Sequence, residues 1–297
     1  MTSFSEQPQS GFVRGSLNRD SSSPRTLFNS VMNGVIFVSA ALALLPLLLV
    51  LSYLLIQGFG SLRFSLFTEL PPAPLDTGGG FGNAIIGTAI MVTIGALISV
   101  PIGVAAAVYL TEFSKGNTSR WIRFATNVLS GVPSIIAGVV TYGILVATKI
   151  VGYSAIAGGV SLSILMLPII VRTTDEALQL VSQDLRQAAI GVGATNYQTV
   201  LLVVLPAALP SILTGVTLSV ARAAGETAPL IFTALFSAFW LRSLTEPTAS
   251  LAVLVYNFAT SFDQNQQSVA WAASLVLVLM VLISSIIARF ATGRKSS

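Results

Sequence analysis

The chain contains no cysteine and no histidine. Without cysteine it can form no disulfide and offers no thiolate as nucleophile or metal ligand. Without histidine it lacks the commonest general base and the commonest metal-binding side chain. Charge is also scarce. Asp, Glu, Lys and Arg make up 9% of its 297 residues, against roughly a quarter in a soluble globular domain. There is no G-x-x-x-x-G-K-[ST] loop, so the chain has no Walker-type cradle for nucleotide phosphates. No internal repeat is visible. What the sequence does have is apolar length. It is 54% hydrophobic, with a mean hydropathy of +0.84, the composition of a polytopic membrane protein and not of a soluble domain with one anchor.

Six apolar runs are long enough to span, at about 20 residues each. They are Val35–Ile56, Ala84–Leu110, Ala125–Thr148, Ser154–Val171, Ala208–Leu235 and Val269–Ala288. Six spans put both termini on one side, and the basic residues say which. Eleven of the fifteen Lys and Arg flank the runs on a single side: Arg14, Arg19, Arg25, Lys115, Arg120, Arg123, Arg172, Arg186, Arg289, Arg294 and Lys295. Only Arg63, Lys149 and Arg242 lie in the opposite loops. Positive charge in short loops marks the cytoplasm, so both termini are expected there. The pI of about 9.7 therefore reports topology and not nucleic-acid binding.

Residues 1–30, polar and rich in Ser, are expected to form a disordered cytoplasmic tail. The apolar run after them is too long for a cleavable signal and lacks a small-residue cleavage pattern. Pro71, Pro72, Pro74 and Gly78–Gly80 give the second span a turn-rich entry. The segment SLAVLVYNFATSFD, before the sixth run, is too short to span and reads as an interfacial helix on the outer face. Proline and glycine inside the spans are ordinary for membrane helices, although GVPS at Gly131–Ser134 suggests a bend near a pathway.

Between the fourth and fifth runs the chain specifies a polar helix–turn–helix. Asp184 is placed to cap a helix over Leu185–Val192, with Gln187 three residues on. Gly193 suits the left-handed position that ends such a helix. Thr195 and Gln198 form a second capping pair, for a helix running to Leu205 and Pro206. The first helix would expose Ala188 and Ala189, small enough for a partner to approach closely. Gln187-Ala188-Ala189, Gly193, Val203 and Leu205-Pro206 together resemble the EAA motif of ABC-importer permeases, E-A-A-x3-G-x9-I-x-L-P. Gln187 stands for Glu and Val203 for Ile. The resemblance implies that this loop is a coupling helix docking into the ATPase subunit; the missing carboxylate at Gln187 puts any ion pair there in question.

Arg222 and Glu226 are four apart, hence on one helix face. A helix starting near Pro210 would put Arg222 about 18 Å along its axis, close to the middle of a bilayer core of about 30 Å. A charge there costs about 2.5–3.5 kcal/mol on insertion scales, so it needs a partner or a task. One reading is a pair that locks helices together. The other is an oxyanion site, with the planar guanidinium supplying paired donors and Glu226 orienting it or repelling the anion. The surrounding ARAAGETAPL resembles the ARxxGETAPL signature of the PstA-type permeases of phosphate importers. FGNAIIGT, VPIGVAAAVYLTEF, GVPSIIAG and LPIIVRTTDEALQLV resemble the same family, over nearly all of Gly79–Phe290.

The resemblance implies an all-α, six-span permease with a MetI-like five-helix core at about 80–290, inside a type-1 transporter domain at 31–297. It implies a bacterial inner-membrane location and transport without enzymatic activity of the chain's own. Arg222, Glu226 and Thr227 would line the substrate pathway. The partners implied are a PstC-like second permease, two copies of a PstB-like ATPase carrying ATP and Mg²⁺, and an external PstS-like phosphate-binding protein. Three rivals are weighed. An importer of another oxyanion, such as sulfate or molybdate, would share this machinery. An intramembrane enzyme is disfavoured because no span carries His, Cys or paired Asp, and an anion channel because it would need no coupling motif.

Overall fold

The computed structural model describes residues 24–114 and 116–293, and every regular element among them is helical. In chain order they are α1 (Pro24–Ser61), α2 (Gly82–Val108), α3 (Asn117–Gly131), α4 (Ser134–Thr141), α5 (Ala155–Gln179), α6 (Gln183–Gly191), α7 (Asn196–Thr199), α8 (Leu205–Ala224), α9 (Ala228–Thr233), α10 (Leu251–Ala259) and α11 (Gln264–Gly293). Helix is what such a composition must form. In hydrocarbon, where no water can satisfy a free N–H or C=O, only helices and closed barrels satisfy the backbone internally. A 3₁₀ turn, Phe64–Phe67, and three short π-helical segments extend the set. Tyr109–Phe113 prolongs α2, Tyr142–Val146 prolongs α4, and Val200–Val204 joins α7 to α8.

The described residues divide into two units, one ending at Tyr53 and the other beginning at Leu54. The described part of the first is the body of α1. It is apolar all round, and none of its residues before Gly58 is buried. A helix of that kind suits lipid contact on every side. It starts at Pro24, so residues 24–30 of the expected tail are helical; the rest of that stretch lies outside the described residues.

In the second unit α5 is the central helix, with most of its apolar stretch buried. Close approach on both sides of it needs residues without side chains. A Cβ on Gly159 would lie 2.5 Å from Ile94 of α2, and one on Gly215 of α8 would lie 2.1 Å from Thr173 Oγ1 of α5. Small residues at such crossings are the usual device of membrane helices, where dispersion and not water exclusion holds helices together. Met91, Leu162, Met166, Ile170, Ala223 and Leu230 fill the resulting core.

Among the described residues, five helices are long and apolar enough to cross a membrane: Pro24–Ser61, Gly82–Phe113, Ala155–Gln179, Asn196–Ala224 and Gln264–Ile287. The third expected span is not straight. It is a pair, Asn117–Gly131 and Ser134–Val146, bent by 100°. The bend falls at GVPS for a definite reason. Pro133 has no N–H and forces its predecessor out of the helical region, and Val132 is extended at φ −71° and ψ 129°. The fifth span also departs from expectation at both ends. It begins at Asn196, continuous through the π segment, and ends at Ala224. Residues 228–233 form the separate α9. The helix widens to a five-residue hydrogen bond, from Leu205 N–H to Val200 C=O, just before Pro206, which has no N–H to continue the ladder. The expected interfacial helix is short, as read, but α10 is a core element. Leu251, Ala252, Val253, Leu254 and Phe258 are buried, and Leu251 N–H donates to Thr88 Oγ1 of α2 at 2.9 Å.

Candidate functional site

The break between α8 and α9 holds the charged signature. Arg222 lies in the last turn of α8, and Gly225 caps it. Pro229 then opens α9, so the helix cannot run through: it has no N–H to offer the carbonyl of Gly225. Arg222 is thus at the broken end of a span and not in the middle of an unbroken one, as the sequence suggested. Its Nε stands 3.7 Å from Glu226 Oε1, an ion pair longer than a hydrogen bond. The Arg222 side chain is 63% exposed and that of Glu226 only 16%. Both residues belong to one continuous stretch, so the pair ties no two distant elements together. What the geometry leaves open is the guanidinium fork. Thr227 follows, half-buried, at the N-cap of α9, where its backbone carbonyl accepts from Leu230 and Ile231.

α9 is firmly placed. Its Thr233 carbonyl accepts from Ser154 N–H, the N-cap of α5, at 3.0 Å. Its N-terminal turn rests on α4, the second half of the bent pair. A Cβ on Gly138 would meet Pro229 Cα at 2.6 Å. The short helices that follow the chain's two broken spans therefore pack directly on each other, with Arg222 just upstream of one of them.

The expected coupling segment forms, with changes. Ser182 and not Asp184 is the N-cap of α6, and Ser182 Oγ accepts from Leu185 N–H. Ser182 has the extended backbone a cap requires, which leaves Asp184 to the first turn, where its negative charge suits the helix dipole. Gly193 adopts φ +93°. Its N–H donates to Ile190 C=O and that of Ala194 to Ala189 C=O, the double bond of a Schellman stop. Thr195 and Gln198 make both bonds of a capping box. Gln187 and Ala188 are exposed, but Ala189 is buried, because that face of α6 packs on the π segment before α8. Leu205 and Pro206 do not share the exposed tip. They stand at the start of α8, nine residues beyond Asn196, or about 14 Å along the same rod.

Three ion pairs near the α6 end escaped the sequence reading. Arg186 binds the carboxylate of Glu112, with both side chains largely buried. Arg123 meets Asp175 at 2.9 Å, and Asp175 also accepts from Thr111 Oγ1. Arg172 reaches Glu176 at 3.0 Å on an open surface. The first two join residues 74 and 52 positions apart, beyond any spacing rule; the only available signal was that each charge sits at the end of an apolar run. Among the described residues no group of His, Cys, Asp and Glu is arranged to hold a metal ion.

Known proteins bear on this arrangement. Residues 99–296 match the model of the binding-protein-dependent transport system inner membrane component family. The chain is 40% identical over 266 residues to the phosphate transport system permease protein PstA of Haemophilus influenzae, covering 89% of this chain and 94% of that one. It is 39% identical over 243 residues to the protein of that name from Yersinia pestis, covering 80% and 81%. Among solved structures, a chain of the alginate ABC transporter superposes with a TM-score of 0.66 at 14% identity, covering 92% of this chain and 98% of its own. A chain of the inward-facing MetNI methionine ABC transporter superposes with a TM-score of 0.58 at 19% identity, covering 72% and 97%. At those identities the structures speak for the fold, and the fold is that of an ABC-transporter permease. With the coverage and identity of its sequence relatives, the chain belongs to the binding-protein-dependent inner-membrane permeases and, within them, to the PstA family of phosphate transport system permease proteins.

Proposed function

We propose that this chain forms one half of the pathway of an ATP-driven phosphate importer, with a PstC-like permease supplying the other half. A PstB-like ATPase dimer holding ATP and Mg²⁺ would act from the cytoplasm, and a PstS-like protein would deliver phosphate from outside. The observation that carries the reading is one continuous rod. Asn196–Ala224 is a single 29-residue helical span, about 43 Å long. The coupling turn stands at one end and the open Arg222 at the other. Movement of α6–α7 at the ATPase would shift the rod along its length and so move the arginine at its tip. A free guanidinium fork suits an oxyanion such as phosphate, and phosphate is the anion named for the relatives of this chain. The Thr227 hydroxyl supplies a neutral polar contact, and the Glu226 charge keeps the anion from being held too tightly. Uptake of labelled phosphate that excess sulfate or molybdate leaves unchanged would support phosphate over the other oxyanions; inhibition by either would argue for a broader anion.

The reading requires both termini and the α6 loop on the cytoplasmic side. The cysteine-free sequence makes this easy to test. Thr77→Cys, at an exposed position of the Pro71–Gly80 loop, is expected to react with a membrane-impermeant thiol reagent in intact cells. Thr118→Cys, exposed at the start of α3, is expected to react only after the membrane is opened. The reverse pattern would invert the topology.

The coupling turn gives a second expectation. Gly193 has open space around its Cβ position, so only its backbone constrains it. A β-branched residue in the left-handed region costs about 1–3 kcal/mol. Gly193→Val is expected to lower the amount of ATPase that co-purifies and to cut phosphate uptake by about tenfold, while Gly193→Asn, which tolerates that region, keeps most of both. Equal behaviour of the two variants would show that the turn's conformation does not matter.

A further inference from the structure

Arg186 lies on α6 but points away from the surface that Gln187 and Ala188 expose. One guanidinium nitrogen binds the Glu112 carboxylate, and the other donates to the carbonyl of Leu178 at 2.7 Å. Glu112 belongs to the π segment that ends α2, and Leu178 to the last turn of α5. The side chains of Arg186 and Glu112 are 13% and 10% exposed. A single side chain thus joins the exposed helix to the ends of the two helices that pack most extensively in the core. Its planar fork allows this, because two donors leave one group in fixed directions. A buried pair is a poor choice if stability alone is at stake, since apolar residues of like volume generally do as well. A directional tie is the property such residues could not supply.

We propose that Arg186 is a positioning residue for ATPase coupling: through Glu112 and the Leu178 carbonyl it makes α6 and the inner ends of α2 and α5 move as one piece. The inference rests on α6 being the ATPase-docking helix. The contacts between α8 and α5 near this end are apolar and fix no direction; the Arg186 tie would make the inner ends of α2 and α5 follow α6 when the ATPases close. Arg186 then works alongside Gln187, which carries no charge for an ion pair of its own.

The test uses the full complex, with both permeases and the ATPase dimer, reconstituted in liposomes with the external binding protein. Phosphate uptake and ATP hydrolysis are measured together. In Arg186→Gln the phosphate moved per ATP hydrolysed is expected to fall about tenfold, within the usual range of a coupling between sites, while complex abundance and hydrolysis stay near normal. Arg186→Lys, which keeps the charge but loses the fork, is expected to fall between. Arg186→Met/Glu112→Leu restores packing without the tie and is expected to stay uncoupled. A normal ratio in that double variant, or a proportional loss of uptake and hydrolysis in all three, would show a packing role only and overturn the proposal. A further variant guards against failed assembly. Glu112→Cys/Arg186→Cys, bridged by a reducible bis-methanethiosulfonate linker, is expected to be coupled when bridged and uncoupled after reduction; no change on reduction would overturn the proposal as well. Ala188→Trp tests the docking reading separately. It is expected to lower the ATPase retained, and full retention with normal transport would remove both that reading and this inference.

Discussion

Arg222→Gln is expected to reduce phosphate uptake by about a hundredfold or more, the scale of losing one partner of a charge-assisted contact, while the complex still assembles and inserts. Insertion should if anything improve, because an arginine among membrane helices is costly. The structure sharpens the comparison between a bridge and an anion site. Arg222 and Glu226 are 3.7 Å apart on one stretch of chain, with Arg222 largely exposed and Glu226 largely covered. A pair of that kind ties no two distant elements together, and on the anion-site reading the substrate is the further partner of the guanidinium. Glu226→Gln leaves the cation in place and is expected to do less harm. Arg222→Lys is expected to be partly active, keeping charge without the fork. The double variant Arg222→Gln/Glu226→Gln decides. A bridge would be largely rescued by removing both charges, since no unpaired charge remains. An anion site stays inactive. Uptake by cells lacking other phosphate transporters, with complex abundance measured in parallel, gives the answer, and rescue by the double variant would remove Arg222 from the pathway.

Gly138→Ala is expected to cut uptake by about tenfold, or to lower the amount of assembled complex, although it adds a single methyl group. That methyl would sit 2.6 Å from Pro229 Cα and 3.0 Å from its carbonyl oxygen. Both are backbone atoms and cannot swing aside. The two short helices must therefore separate by about an ångström, at an overpacking cost of about 1–3 kcal/mol. The displacement falls on α9, directly after the Arg222–Thr227 break, so it moves the site and not a remote surface. Gly143→Ala is the matched control. It lies in the π segment that prolongs α4, is exposed, and has nothing within 4 Å of its Cβ position, so uptake is expected to be unchanged. If Gly138→Ala and Gly143→Ala both transported normally at normal abundance, Gly138 of α4 would not be in contact with Pro229 of α9.

The sequence by itself determined the elements whose causes are local. Apolar length set the number and approximate place of the spans, since lipid leaves helix as the only way to satisfy an isolated apolar run. Thr195, Gln198 and Gly193 set the turn between α6 and α7, because capping boxes and left-handed stops are made by residues a few positions apart. Pro133 was legible as a bend for the same reason, though not the 100° it produces. The Arg222–Glu226 spacing and the motif around it identified the family.

The tertiary structure alone decided whatever depends on packing. The extended backbone at Ser182, and not residue type, chose it over Asp184 as a cap. Ala189 is buried because α6 folds back on the π segment. The SLAVLVYNFATSFD segment enters the core because α2 and α11 offer it a surface, which no periodicity announces. α9, which follows the break after Arg222, lies against α4 because Gly138 lets that helix approach Pro229. Arg186 and Glu112 met only in space. Their separation in sequence is 74 residues, and contacts at that range are fixed by how α2, α5 and α6 pack, which small residues at helix crossings permit but do not spell out.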